Sequence, residues 1–430
     1  MLFKLPSKDG RRAMSCHLVI QSLFILALAV NPSVTLAQGS GLSLSAALSQ
    51  TMAQNPGLKV FDPRFQGLDG LRITADQNPA LIAGVQVEDF LGSGNLQGAD
   101  SAEYTLSLSS VLELGGKRES RVSVIDSRLN LVEAERRAET LDVLGQVTQR
   151  FVATLALQEK LQLAGEAVAL AETTHDIVAH RAKQGATPQA EVLRAKAALT
   201  RRRIEQSRLQ AEYRSRKMAL ASLWGDTAPG FAKLEGDLFR SDAADSFEAL
   251  YQRVSESPSI EVYASEERLR EAEIQLARSE SESDIRWQVG IRRLEGIGDT
   301  ALTAGFSIPL FAKQRNRGEV KAAMAQRNEV EYRRADALLQ LRSRLFDAYH
   351  MRQQSIEAVE QIRNQMLPDL TQALIQTREA YENGRYSYVE WTAAQQDLLS
   401  AQLALVDAAT TALFNQALIE QLTAQPLADR

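Results

Sequence analysis

Residues 109–121 read SSVLELGGKRESR. Just upstream, Tyr104, Leu106 and Leu108 alternate with Thr105, Ser107 and Ser109, the period of a β-strand with one apolar face. Downstream, residues 118–184 contain no proline and are interrupted only by Gly145 and Gly165, as one very long helix requires. The stretch is therefore a strand-to-helix junction. It recurs as FSIPLFAKQRNRG at residues 306–318, where Ser307, Ile308 and Arg315 match Ser110, Val111 and Arg118 at one constant spacing. A junction that occurs twice predicts an internally duplicated chain.

On either side of the junction, each half repeats the same order. A short helix stopped by a proline opens it: Ala47, Leu48, Gln50, Pro56 and Val60 recur as Ala249, Leu250, Gln252, Pro258 and Val262. A second short helix is clear over residues 266–278 but weakened over residues 57–78 by Gly57, Pro63, Gly67 and Gly70. Two alternating segments follow, expected as strands over about 81–91 and 102–114, and over about 284–293 and 301–310. Ten residues is about the length a tilted strand needs to cross a bilayer. Long helices are expected over about 117–184 and 188–224, and over about 318–383 and 387–421. Leu141, Leu144, Thr148, Phe151 and Leu155 step by threes and fours, as do Leu338, Leu341, Leu345 and Ala348, which predicts coiled-coil seams. Some 65 residues at ~1.5 Å each reach ~100 Å, well beyond an ordinary globular-domain helix. The helices reverse at QGATPQ and NGRYSY, where Gly185 and Gly384 supply the positive φ of a helix end. The first repeat is placed at 38–225, a connector at 226–245, the second repeat at 246–421 and a tail at 422–430.

The N-terminus reads as a secretory signal over residues 1–37: Lys4, Lys8, Arg11 and Arg12, then LVIQSLFILALAV, then Thr35 and Ala37 as small cleavage-site residues. Removing it takes four basic residues and one Asp from the 49 basic and 54 acidic, leaving a balance of −8. That excess of acid argues against a nucleic-acid partner. The one cysteine, Cys16, lies inside the signal, so no disulfide or Cys metal site is expected. No uninterrupted apolar run of membrane-spanning length follows the signal, so any membrane segment must be β.

No catalytic, cofactor or metal constellation is visible. His175 and His180 do not share a helix face, His350 is alone, and neither a zinc-protease motif nor a nucleotide-binding loop occurs. The sharper candidates are Glu191 and Glu390, each early in a returning helix, where the helix dipole favours a carboxylate. That placement alone reads as a helix-start charge on a solvated face. Its recurrence in both halves points to function.

The NPGLKV opening, ELGGKR, QGATPQAEVLRAKAAL, SIPLFAKQRNRG and YENGRYSYVEW together resemble the outer membrane efflux protein family, the TolC-like outer membrane factors, across residues 42–421. The ELGGKR and RNRG pair is most similar to its heavy-metal cation efflux branch. The resemblance implies an α+β membrane protein and a homotrimer, with a shared 12-stranded outer membrane barrel continued by a periplasmic α-helical barrel. It implies a periplasmic adaptor and an inner membrane pump of the resistance-nodulation-division type as partners, with lipid around the strands. Closure among copies also follows from physics, because four strands alone leave unpaired edges in lipid. On this resemblance Glu191 and Glu390 line the periplasmic aperture, and Gly185, Pro188, Gly384 and Tyr386 belong to the adaptor-docking tips. Gly115, Gly116, Lys117 and Pro309 mark the strand–helix junctions, which are expected to bend differently. Drug efflux or type I protein secretion through the same architecture is the rival within transport. A periplasmic coiled-coil adaptor or scaffold is the rival of another class, and an enzyme is the least supported.

Overall fold

The computed structural model describes residues 41–240 and 245–425. The expected signal over residues 1–37 lies outside the described residues, as do parts of the expected connector and tail. In chain order the elements are β1 (Leu42–Ser43), α1 (Leu44–Gln54), α2 (Pro56–Lys59), α3 (Phe61–Ala75), β2 (Ile82–Glu88), β3 (Glu103–Leu112), α4 (Lys117–Lys183) and α5 (Gln189–Ala221). Then come β4 (Leu234–Glu235), α6 (Phe247–Ser255), α7 (Pro258–Glu280), β5 (Ile285–Leu294), β6 (Asp299–Ser307) and α8 (Ala312–Arg315). The chain closes with α9 (Arg317–Gln361), α10 (Leu367–Glu382) and α11 (Tyr388–Thr423).

The hairpins form one antiparallel sheet in the order β2-β3-β5-β6. Its register puts Val85, Leu106, Ile291 and Leu302 in one row, and Ala83, Leu108, Val289 and Ala304 in another, all on one face. This face is bare: Val85 is 76 % exposed and Leu302 86 %. An uncovered apolar band across four strands is a surface built for an apolar solvent. The opposite face carries Gly84, Ser107, Gly290 and Thr303 in one row and Gln86, Thr105 and Arg292 in the next. A Cβ at Gly290 would lie 2.7 Å from the Leu106 carbonyl oxygen and 2.8 Å from Thr303 Oγ1. Small residues thus let the sheet close in on its polar side. Strand ends differ from expectation where backbone chemistry stops pairing: Asp89 and Leu91 take positive φ after β2, and β6 ends before Pro309.

The prolines do more than stop helices. Asn55 Oδ1 accepts from Leu58 N at 3.1 Å and Pro56 begins α2, while Pro258 begins α7. Both occupy the first helical turn, where a missing N–H leaves nothing unpaired. α3 forms despite Pro63, Gly67 and Gly70 because Phe61 and Leu68 bury against Val132, with Phe65 and Leu129 packed alongside. The helix expected over 318–383 is divided: a π-helical turn at Ile362–Met366 separates α9 from α10. Pro368 follows it, lacks an N–H and would crowd the preceding turn, and the widened turn absorbs the mismatch.

The expected connector is also part of the core. Leu234 pairs in parallel with Leu42, and Gln158 Oε1 accepts from Leu234 N at 2.9 Å and from the Tyr213 hydroxyl at 2.9 Å. Leu234 and Leu238 pack with Leu44, Phe151, Leu155 and Trp224 in the largest apolar cluster. α11 is long and apolar enough to span a membrane by length and composition, but it runs along α9, α4 and α10 and buries Trp391, Val406, Leu413 and Ile419.

Candidate functional site

At the far end of the helices the two turns are built alike. Gly185 and Gly384 both have φ of 73°. Ala186 N donates to the Arg181 carbonyl at 2.9 Å, and Arg385 N donates to the Ala380 carbonyl at 2.8 Å. Each glycine ends a helix in the left-handed conformation and satisfies carbonyls that the helix leaves open. A side chain at Gly185 would point into open space, and Tyr386 is 49 % exposed, so both tips present surface. Pro188 sits at the cap position before α5 in extended geometry.

Glu191 and Glu390 both occupy the third helical position, and local chemistry holds both. Ser387 and Glu390 form a reciprocal capping box: Ser387 N donates to Glu390 Oε2 at 2.7 Å and Glu390 N donates to Ser387 Oγ at 3.4 Å. The Ser387 backbone N–H, and after it the Ser387 hydroxyl, lower the Glu390 pKa. Glu191 Oε2 accepts from the Thr187 hydroxyl and, at 3.3 Å, from the Tyr381 hydroxyl of the other tip. Starting a helix therefore accounts for much of the recurrence of these carboxylates.

Three residues that the sequence did not single out join the tips. Arg181 Nη1 donates to the Glu382 carbonyl at 2.5 Å, and its guanidinium lies 4.9 Å from the Tyr381 ring centre. Tyr381 stacks on Trp391 at 4.9 Å, and Trp391 is buried with Val178, Ala195 and Tyr388. Burial is the main cause raising the Tyr381 pKa, so its hydroxyl stays a donor at neutral pH. The visible signal was the aromatic density of YENGRYSYVEW.

At the other end, Gly115 and Gly116 are both left-handed, with φ of 77° and 70°, and together they turn β3 into α4. Lys117 is buried beside the sheet: its Nζ donates to Asp284 Oδ1 at 2.6 Å and to the Glu282 carbonyl at 2.9 Å. The second junction bends differently. Pro309 accepts from the Ser283 hydroxyl at 2.7 Å, and the left-handed residue is Phe311, with φ of 62°. On the polar face of the sheet, Arg292 Nη1 donates to Glu103 Oε2 at 2.9 Å and its guanidinium lies 3.5 Å from Glu88.

The structure does not gather the histidines. His175 contacts Asp176 at 3.1 Å, His180 contacts Gln184 at 2.9 Å, and His350 packs against Phe346 and Tyr349. Among the described residues no group of three or more His, Cys, Asp or Glu is placed to hold a metal. The geometry is a wall with two specialised ends.

The sequence pattern of the outer membrane efflux protein family matches residues 74–226 and 249–425, one match in each half. The cobalt-zinc-cadmium resistance protein CzcC of Cupriavidus metallidurans is 24 % identical over 362 residues, covering 84 % of this chain and 85 % of that protein. The nickel-cobalt-cadmium resistance protein NccC of Alcaligenes xylosoxydans xylosoxydans is 23 % identical over 276 residues, covering 63 % of this chain and 62 % of that one. Among solved structures, CusC superposes with a TM-score of 0.74 at 18 % identity, over 88 % of this chain and 91 % of its own. The outer membrane channel OprN gives 0.73 at 17 % identity, over 90 % and 91 %. Bare strands, long helices and the doubled match converge: the chain belongs to the outer membrane efflux protein family and is an efflux channel of the Gram-negative outer membrane.

Proposed function

We propose that three copies of this chain share one 12-stranded barrel and pass heavy-metal cations outward through it. The observation that carries the reading is the sheet itself. β2 and β6 are unpaired edges of a sheet whose apolar face is bare. Backbone groups left open in lipid cost several kcal/mol each, so closure must come from further copies. The helices then form the periplasmic continuation, and an inner membrane pump of the resistance-nodulation-division type delivers cargo through a periplasmic adaptor. The adaptor docks on the tips that carry Gly185, Pro188, Gly384 and Tyr386.

Metal as cargo is favoured by the two resistance proteins, whose names specify cobalt, zinc, cadmium and nickel. Glu191 and Glu390 from three copies would set six carboxylates round the narrow end, favouring cations electrostatically. The deciding experiment deletes the protein and compares sensitivity to cobalt, zinc and cadmium with sensitivity to hydrophobic drugs. Selective metal sensitivity, restored by the intact chain, is the expected result. Drug sensitivity alone would reassign the conduit to drug efflux.

A further inference from the structure

We propose that the second strand-to-helix junction binds an anionic phospholipid at the periplasmic face of the membrane, its phosphate held by Arg278, Arg317 and Lys321. This rests on the reading that the apolar face of the sheet meets lipid. α7, α8 and the start of α9 border an open groove of about 500 Å3 lined by Arg278, Lys313, Arg317 and Lys321, with Glu282 as the one carboxylate. Glu282 is taken by Lys313 at 2.9 Å. Arg278, Arg317 and Lys321 have no carboxylate within ion-pair distance among the described residues. Arg317 and Lys321 are four apart on one helix, so their charges project over the same groove.

The first junction is the internal control. Lys117 is paired with Asp284, Arg121 with Glu113, and Arg118 lies 3.8 Å from Asp76. Its positive charge is neutralised within the chain, whereas the second junction leaves charge for an outside partner. The apolar side of that partner is also on the page. Phe306, Ile308, Leu310 and Phe311 are all exposed, and in sequence they lead from the end of β6 to Lys313 in the cationic cleft. Phe311 is held left-handed, an uncommon state for a bulky residue, at the point where apolar surface gives way to charge. An acyl chain above a phosphate has the same order of chemistry, and basic residues beside a bilayer attract anionic lipid.

The test titrates the full-length purified protein in detergent with phosphatidylglycerol, phosphatidylethanolamine or inorganic phosphate, and reads bound lipid per oligomer by native mass spectrometry. Phosphatidylglycerol should bind roughly ten-fold or more tightly than phosphatidylethanolamine, given three unpaired cations. Arg317→Gln with Lys321→Gln should abolish the preference, and Arg118→Gln at the first junction should keep it. Equal binding of the two lipids, or a preference that survives the double change, would overturn the proposal. Displacement of the lipid by millimolar phosphate would reassign the cleft to a free anion, and loss of the oligomer in the double variant would reassign it to a contact between copies. Arg278→Gln alone gives a second route to the same readout. The chain count in each spectrum reports on the trimer separately, so failure of lipid selectivity and failure of the channel reading are distinguishable.

Discussion

Lys117 Nζ and Asp284 Oδ1 meet at 2.6 Å, joining the first residue of α4 to the residue that precedes β5. The pair ties the first repeat to the second where strand becomes helix. Asp284 also accepts from Leu114 N at 3.1 Å, so one carboxylate holds both sides of the glycine turn.

Removing one partner leaves the other charge poorly solvated. Lys117→Ala should lower stability by about 2–4 kcal/mol, because it leaves the Asp284 carboxylate, only 26 % exposed, without its cation. Thermal unfolding in detergent checks this. The double change with Asp284→Ala should cost less than the sum of the two single changes, since the orphaned charge is gone.

The sheet makes a steric prediction. Gly290→Val would drive a side chain against the Leu106 carbonyl and Thr303 Oγ1. Assembled protein in the outer membrane should fall sharply, while Thr303→Val, which keeps its neighbour's space, should assemble. Outer membrane fractionation with a heat-modifiability gel reads both.

Much of this end was legible from the chain alone, for a physical reason. Period-two alternation reports one bare face and needs no knowledge of distant contacts, so Leu106 and Val289 could be placed by pattern. The seam through Thr148, Phe151 and Leu155 is likewise local in spacing, and all three are buried. The role of the connector was not legible: Leu234 and Leu238 gain their meaning from Leu42 and Phe151, far away in sequence. The helix at Phe61–Ala75 forms through burial that overrides the propensity of its glycines. At the tips, the recurrence of Glu191 and Glu390 was visible, but the bonds that hold them were not. Arg181 carried no pattern at all, because its partners Tyr381 and Glu382 belong to the other half.

Arg181 makes the tips cohere. Arg181→Ala removes a bond to the Glu382 carbonyl and a stacked guanidinium, and should cost about 1–3 kcal/mol locally. The tips should then separate more readily. Single-channel conductance in planar bilayers should rise relative to the unmodified protein; an unchanged conductance would place the constriction elsewhere.

Glu390 gives a pH dependence with a definite sign. Its folded pKa is lowered by the Ser387 N–H and hydroxyl, so its contribution is present above the ordinary Glu value of about 4.3 and lost as pH falls through the depressed folded value. The unmodified protein should therefore melt at a higher temperature than Glu390→Gln at neutral pH. The gap should close on acidification below about pH 4. Paired melting curves across that range isolate this group from all others that titrate in both proteins.

In the proposed trimer the sheet closes only with other copies, edge to edge. Cys16 is the only cysteine in the sequence and lies in the expected signal, so engineered thiols report cleanly. One cysteine in place of Ala83 or Val85 on β2, combined with one in place of Leu302 or Ala304 on β6, gives four pairings that sample three antiparallel registers between copies. Oxidation of outer membranes should give covalent dimers and a closed species of three chains, with nothing larger. Monomer alone in every pairing, or a ladder running past three, would contradict closure by three copies.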